Sequence, residues 1–347
     1  MLPSRKKTWI KVLIGLLLFY LALGHLDFAK LAGLLAGTRP WLILLAFGVT
    51  VLHIATMIII RTYLVNFLGT TGFLAMLKTF FSTTYFVNIL PSRAGGLLGE
   101  PWGLYSFSRG KIDFNDALAF CLVITSAQNL RKIALTVVGL ILFYRILPDY
   151  YAIMIMAAVA LYAGYTAVII SAVLMSDKIV GLIEKYGRLV PKKVVVFVLS
   201  LCQVGRQTAA GIKRFLCRGI RVVSVIMALL INNTLFESFR LWILLWAFGV
   251  DFDFLYLLLF PSLAYSVTAL PISLGGFGIT EVSGLLVFKA FGLSPEIALA
   301  AVFLDRALST YWTFLVGALL VPFIKLPRRE DFSREPSHEP YPGGESG

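Results

Sequence analysis

Eight stretches of this chain are apolar without alternation: 9–26, 41–68, 75–90, 114–145, 149–175, 222–248, 253–270 and 296–324. About 20 apolar residues are enough for a helix to cross a bilayer's hydrocarbon. Inside that hydrocarbon no water bonds the backbone N–H and C=O groups, so only helices and closed barrels span it. Barrel strands read as alternating segments of about ten residues, and these runs do not alternate. The reading is an all-α polytopic membrane protein with about eight transmembrane helices. Composition agrees, with only 14% charged residues where a soluble domain carries about 25%.

One phrase breaks this pattern twice. Leu90-Pro91-Ser92-Arg93-Ala94-Gly95-Gly96 returns 180 residues later as Leu270-Pro271-Ile272-Ser273-Leu274-Gly275-Gly276, and an acid follows each copy (Glu100, Glu281). Proline and glycine free backbone groups that the bilayer cannot satisfy, so such breaks belong inside protein or beside a polar cavity. Matching breaks in two halves of a membrane chain point to a transporter's binding site. Segments 91–110 and 271–292 therefore read as two re-entrant or half-helical elements. The Gly-Gly pairs have a second reading, close packing of helices through small residues.

Charge sets the expected topology. The net charge is +13, and residues 176–221 hold ten Lys/Arg against Asp177 and Glu184. Arg5, Lys6, Lys7 and Lys11 lie at the N-terminus, and Lys325, Arg328 and Arg329 near the C-terminus. Short basic segments beside apolar spans mark the cytoplasmic side, so all three are expected there, in a prokaryotic inner membrane. The clusters read as topology signals and not as a nucleic-acid site. The loop can also attract anionic head groups, at about 1 kcal/mol per basic residue. Five spans separate the first two clusters and three separate the last two. Both counts are odd where even ones are needed. Each broken element completing a crossing would repair both counts, and an odd number of intervening crossings would make the repeats inverted. The expected organisation is one membrane domain over 1–325, with repeat halves at about 41–175 and 222–325. Segments 177–188 and 203–221 should lie along the interface, and the tail 326–347 should be disordered. Residues 9–26 read as an uncleaved first helix in preference to a signal peptide.

Repeat similarity extends past the phrase. Ala117-Leu118-Ala119 matches Ala298-Leu299-Ala300. Each follows an N-terminal helix signal, Asn115-Asp116 in one half and Ser294-Pro295-Glu296 in the other.

Polar side chains within spans are costly and face the bundle interior. Candidates are Arg93 and Glu100 in the first broken element, Gln128, Asn129, Arg131 and Lys132 in 114–145, and Asn232, Asn233, Glu237 and Arg240 in 222–248. Glu281 lies in the second broken element, and Asp305 and Arg306 in the last span. Glu237 and Arg240 are three apart and share a face, so they can pair. Asp305 and Arg306 are adjacent and point apart, so at least one needs a partner elsewhere: Glu281, Glu100 or a ligand. Arginine's planar fork suits phosphate oxygens, and N–H groups at Gly-rich turns favour anions. The expected head-group site is Arg93, Gly95, Gly96, Glu100, Arg131, Glu237, Arg240, Gly275, Gly276, Glu281, Asp305 and Arg306. No catalytic residue, cofactor or metal is expected. Cys121, Cys202 and Cys217 have no metal or disulfide spacing, and His25, His53 and His338 are scattered.

The Leu-Pro-Gly-Gly phrases, with Phe277-Gly278-Ile279-Thr280-Glu281 and Leu304-Asp305-Arg306, resemble the flippase-like UPF0104 membrane family. That family is similar to the transmembrane flippase region of lysylphosphatidylglycerol synthases. The resemblance covers about residues 8–325. It implies a multi-helix bundle with two re-entrant elements that moves a phospholipid or lipid-linked sugar, a polyprenyl carrier included, between leaflets. The synthases' aminoacyl-transferase domain is not recognisable, so lysyl transfer is not expected. The first half also lacks the acidic–Arg pair, reading Val123-Ile124-Thr125 at that place. Two rivals stand beside the translocator: an integral-membrane glycosyltransferase or lipid-modifying enzyme, with Asp27 as an early acid, and a non-catalytic lipid-binding scaffold acting through loop 176–221.

Overall fold

Long apolar runs become long helices. The computed structural model describes residue 33 and residues 36–89, 95–109, 111–174, 205–269 and 276–324. The elements are α1 (Pro40–Val65), α2 (Phe73–Ile89), α3 (Gly95–Phe107), α4 (Phe114–Phe143), α5 (Asp149–Leu174), α6 (residues 205–216), α7 (Ile220–Ala247), α8 (Phe254–Ser266), α9 (Ile279–Ala290), α10 (Pro295–Arg306) and α11 (Trp312–Leu320). Helix and turn account for the fold, with no strand among the described residues. The expected span 9–26, segment 177–188 and tail 326–347 lie outside them.

Among the described residues, four helices are long and apolar enough to cross a membrane: Pro40–Val65, Phe114–Phe143, Ile220–Ala247 and Pro295–Phe323. Expected spans 75–90 and 253–270 form helices of 17 and 13 residues. The two broken elements form helices of 13 and 12 residues. At 1.5 Å per residue these last two reach about 20 Å, short of the roughly 30 Å of hydrocarbon. Pro101 sits inside α3. Pro295 starts α10, and Ser294 Oγ caps it by accepting the Ile297 N–H at 3.4 Å. The other half keeps the expected acid, Asp116, in its first turn, but Asn115 does not cap it. Helix α4 begins at Phe114, so Asn115 and Asp116 lie in its first turn. They face α6, where Asn115 Nδ2 donates to Gln207 Oε1 at 2.6 Å and Asp116 Oδ1 accepts from Arg214 Nη2 at 2.6 Å.

The bundle is apolar outward and partly polar inward. On α1, Leu44, Leu52 and Ile59 are exposed while Leu42, Ala46 and Ile58 are buried. Thr136, Ser238, Thr280, Glu281 and Thr313 are fully enclosed. Hydrocarbon around the outer face would accept those exposed side chains, as it does for a helix that is apolar on all sides.

Three apolar cores form among the described residues, and two of them occupy opposite ends of α4. Its N-terminal half (Phe120, Cys121, Ile124) packs with α1, α2, Leu104 of α3, Phe215 of α6 and the start of α7. Its C-terminal Phe143 packs with Tyr151 of α5, Leu241 and Leu245 of α7, and helices α8, α9 and α10. Each of these two encloses one broken element, and the middle of α4 and α7 lies between them. Helix α1 packs on α7, α3 on α4, and α9 on α10, while α2 packs on α11 and α8 on α4.

Single contacts repeat at the spacing of the phrase. Thr136 Oγ1 donates to the Ser262 carbonyl at 3.1 Å. About 180 residues further along sits Gly317, where an added Cβ would lie 2.1 Å from the Phe81 carbonyl oxygen. Phe81 and Ser262 are separated by the same interval. His53 Nε2 and Asn233 Oδ1, 180 residues apart, bond each other at 3.0 Å.

Candidate functional site

Between the two cores at the ends of α4 lies a cavity of about 560 Å³ bordered by α1, α2, α3, α4, α5, α7, α8 and α10. Gln128, Arg131 and Lys132 from the middle of α4 and Asn233, Glu237 and Arg240 from α7 reach it. So do Gly96 and Glu100 of the first broken element, and Asp305, Arg306, Ser309 and Thr310 of the last span. Seven of the twelve expected site residues therefore line one space: Gly96, Glu100, Arg131, Glu237, Arg240, Asp305 and Arg306. Glu281 lies behind Arg306, with 0% exposure. Gly95 starts α3, and Gly276 lies in the turn before α9. Arg93 and Gly275 fall outside the described residues.

Ion pairs stitch different helices together around the cavity. Arg240 Nε donates to Asp305 Oδ1 at 2.6 Å, tying α7 to α10, and Tyr265 OH of α8 donates to Asp305 Oδ2 at 2.9 Å. Arg306 Nε stands 3.5 Å from Glu281 Oε1, which also accepts the Tyr311 OH at 2.8 Å. The adjacent Asp305 and Arg306 are thus paired separately, and Glu281 is one of the partners expected. Arg131 Nη2 stands 3.6 Å from Glu237 Oε2, and its Nη1 donates to Thr234 Oγ1 at 2.9 Å. The expected Glu237–Arg240 pairing along α7 gives way to these cross-helix pairs. Glu237 pairs with Arg131 of α4, and Arg240 with Asp305 of α10.

Glu100 pairs with neither Asp305 nor Arg306. Its partner is Arg61 of α1, which donates through Nη2. Arg61 was absent from the expected site. Its place late in a 26-residue helix reads as an end-of-span cation. Only the folding of α3 back into the bundle brings Glu100 to it. The Arg61 guanidinium also lies over the Phe120 ring at 5.7 Å. The missing first-half arginine at Thr125 is therefore replaced in space: Thr125 lines the cavity and a cation from α1 serves Glu100. Tyr265 and Tyr311 were also missed, because a tyrosine in an apolar run carries no signal of its acceptor.

Local backbone explains how the pieces are aimed. Directly after Arg306 the chain makes one π-helical turn, Ala307–Tyr311. Such turns are rare within α-helices and concentrate at functional sites. This one places Ser309 and Thr310 on the cavity wall and Tyr311 against Glu281. Gly276 adopts φ +82°, and a Cβ there would meet Thr280 Oγ1 at 2.9 Å. In the first element the small-residue reading applies to other glycines. A Cβ on Gly99 would strike Phe86 at 2.6 Å and one on Gly103 would reach Ser82 Oγ at 3.0 Å, so α3 lies tightly on α2.

The wall is cationic. Five cations (Arg61, Arg131, Lys132, Arg240, Arg306) face three carboxylates (Glu100, Glu237, Asp305), and Glu281 adds a fourth behind Arg306. Several buried nitrogens lack an acceptor within hydrogen-bond geometry: Nε and Nη2 of Arg306, Nε of Arg131 and Nε of Arg61. Arg306 is held beneath two rings, 5.9 Å from the Phe277 centroid and 5.8 Å from Tyr311. Chemically, the site can donate hydrogen bonds to an anion. Among the described residues no group of three or more His, Cys, Asp and Glu is arranged to hold a metal.

A family model described as the lysylphosphatidylglycerol synthase TM region matches residues 8–317. A UPF0104 membrane protein of Methanocaldococcus jannaschii is 23% identical over 340 residues, covering 92% of this chain and 95% of that protein. One from Pyrococcus horikoshii is 26% identical over 202 residues, covering 52% and 59%. A third, from Methanothermobacter thermautotrophicus, is 22% identical over 249 residues, covering 68% and 71%. No solved structure matches the chain.

Proposed function

This chain belongs to the family of lysylphosphatidylglycerol synthase transmembrane regions, and from that premise we propose that it is a lipid translocator. In this reading it moves a phospholipid or lipid-linked sugar between leaflets, with the head group in the cavity and the acyl chains in the bilayer. The observation that carries the reading is a cation-rich, hydrogen-bonding cavity at mid-length of the spanning helices α4 and α7. Polar and ionisable groups at that depth are expensive and mark substrate pathways.

The duplicated architecture supports the same reading. Short broken helices α3 and α9 act as re-entrant elements, each in its own core at opposite ends of α4. The matched contacts of Thr136 with Ser262 and Gly317 with Phe81 are what an inverted repeat produces. Transporters built this way carry substrate near the bilayer midplane at the repeat interface and expose it alternately by rocking one half against the other. His53 and Asn233, bonded across that interface, sit at the pivot.

A leaflet-resolved assay tests the proposal. Purified protein is reconstituted with head-group-labelled lipid, and the fraction reached by a membrane-impermeant reagent is followed over time. A translocator changes sidedness and leaves lipid mass unchanged. A change in lipid mass would instead identify a lipid-modifying enzyme. No change in either would refute translocation of that lipid and favour the scaffold.

A further inference from the structure

The cavity's inventory of donors and acceptors narrows the head group, on the premise of the translocator reading above. Every carboxylate on the wall already has a cation: Glu100 has Arg61, Glu237 has Arg131, and Asp305 has Arg240 and Tyr265. Oε2 of Glu281, a buried carboxylate oxygen without a donor, belongs to a residue that does not line the cavity. Of the buried nitrogens without an acceptor, those of Arg61, Arg131 and Arg306 belong to wall residues, while Asn232 Nδ2 does not. An ammonium entering this space would meet wall carboxylates that already hold cations. A phosphate would meet guanidinium donors suited to its oxygens.

The rest of the wall combines apolar side chains, among them Ile54, Met57, Met76 and Phe80, with neutral hydrogen-bonding ones. Thr83, Thr84 and Asn88 of α2, Gln128 of α4, and Ser309 and Thr310 of the π-turn all face in. Thr83 Oγ1 is buried without a partner. Such side chains both donate and accept, which matches a polyol. The volume, about 560 Å³, lies within the roughly 300–1,000 Å³ of small-molecule sites.

We infer that the cavity selects an anionic head group made of a phosphate and a neutral polyol, glycerol or sugar, and rejects cationic aminoacylated head groups. Arg306 and Arg131 take the phosphate, and the α2 and π-turn side chains take the hydroxyls. The specificity is thus opposite in charge to the lysylated lipid in the family's name.

Calorimetric titration of the full-length protein in detergent tests this with short-chain probes. These are dihexanoyl phosphatidylglycerol, its lysyl ester, dihexanoyl phosphatidate, dihexanoyl phosphatidylcholine and free sn-glycerol 3-phosphate. Phosphatidylglycerol should bind at least about tenfold more tightly than the lysyl ester or phosphatidylcholine. Arg306→Gln/Glu281→Gln, which leaves no buried charge unpaired, should weaken phosphatidylglycerol by about tenfold or more. Thr83→Val/Ser309→Ala should weaken phosphatidylglycerol but not phosphatidate. Equal or tighter binding of the lysyl ester overturns the inference, as does an unchanged affinity in the Arg306→Gln/Glu281→Gln protein. Equal binding of free glycerol phosphate supports the chemistry while arguing for a soluble ligand. Binding of phosphatidylglycerol with no translocation of any lipid likewise supports the inference and refutes the translocator reading alone.

Discussion

Removing the Asp305 carboxylate should destabilise the bundle more than any other single change at the cavity. Asp305 and Arg240 have side chains only 2% and 5% exposed, joined at 2.6 Å. Asp305→Ala leaves the Arg240 guanidinium buried without its partner, a loss of about 3–5 kcal/mol. It also orphans the Tyr265 hydroxyl, now 2.9 Å from Oδ2, which adds about 1–3 kcal/mol. A loss of this size lowers a melting temperature by something on the order of 10 °C. The assay is the fraction of protein still monodisperse in detergent after heating, followed by tryptophan fluorescence. Burying the pair has its own desolvation cost, so replacing it with apolar groups is often neutral. The charge-free variant Asp305→Leu/Arg240→Met/Tyr265→Phe should therefore recover most of the lost stability. A single Asp305→Ala protein as heat-stable as the wild type would refute the reasoning. So would a charge-free variant no more stable than that single mutant.

Other outcomes follow from the same contacts. Gly317→Ala forces α11 away from the Phe81 carbonyl, and overpacking of this kind costs about 1–3 kcal/mol, read as a lower melting temperature; an unchanged value contradicts the close approach. Thr136→Val, at the repeat-equivalent contact, loses one hydrogen bond and should cost about 1 kcal/mol in the same assay. Glu100→Ala should destabilise by leaving Arg61 buried and unpaired, whereas Arg61→Glu/Glu100→Arg should recover part of that stability; equal losses in both proteins would show that the pair is not formed.

Local chemistry was legible in the sequence, and long-range pairing was not. Apolar runs announced α1, α4, α7 and Pro295–Phe323 because a helix in hydrocarbon needs only length and apolar character. The doubled proline and glycine announced the two short helices for the same reason. That adjacent Asp305 and Arg306 need separate partners followed from helix geometry, and Glu281 and Arg240 supply them. Which of several polar residues pairs across helices depends on how those helices pack. Glu237 and Arg240, compatible neighbours along α7, part to meet Arg131 and Asp305. Arg61 was invisible as a site residue until α3 brought Glu100 beside it. The cavity itself is a tertiary object, lined from helices far apart in the chain, and no window of sequence contains it.

The central claim is that the head group crosses through this cavity. Its most direct test is leaflet-resolved transport by the Arg306→Ala/Glu281→Ala double mutant, inserted at wild-type levels and monodisperse in detergent. The account predicts that lipid sidedness stays fixed over a period in which the wild-type protein equilibrates it. Transport at the wild-type rate by that double mutant would contradict the claim.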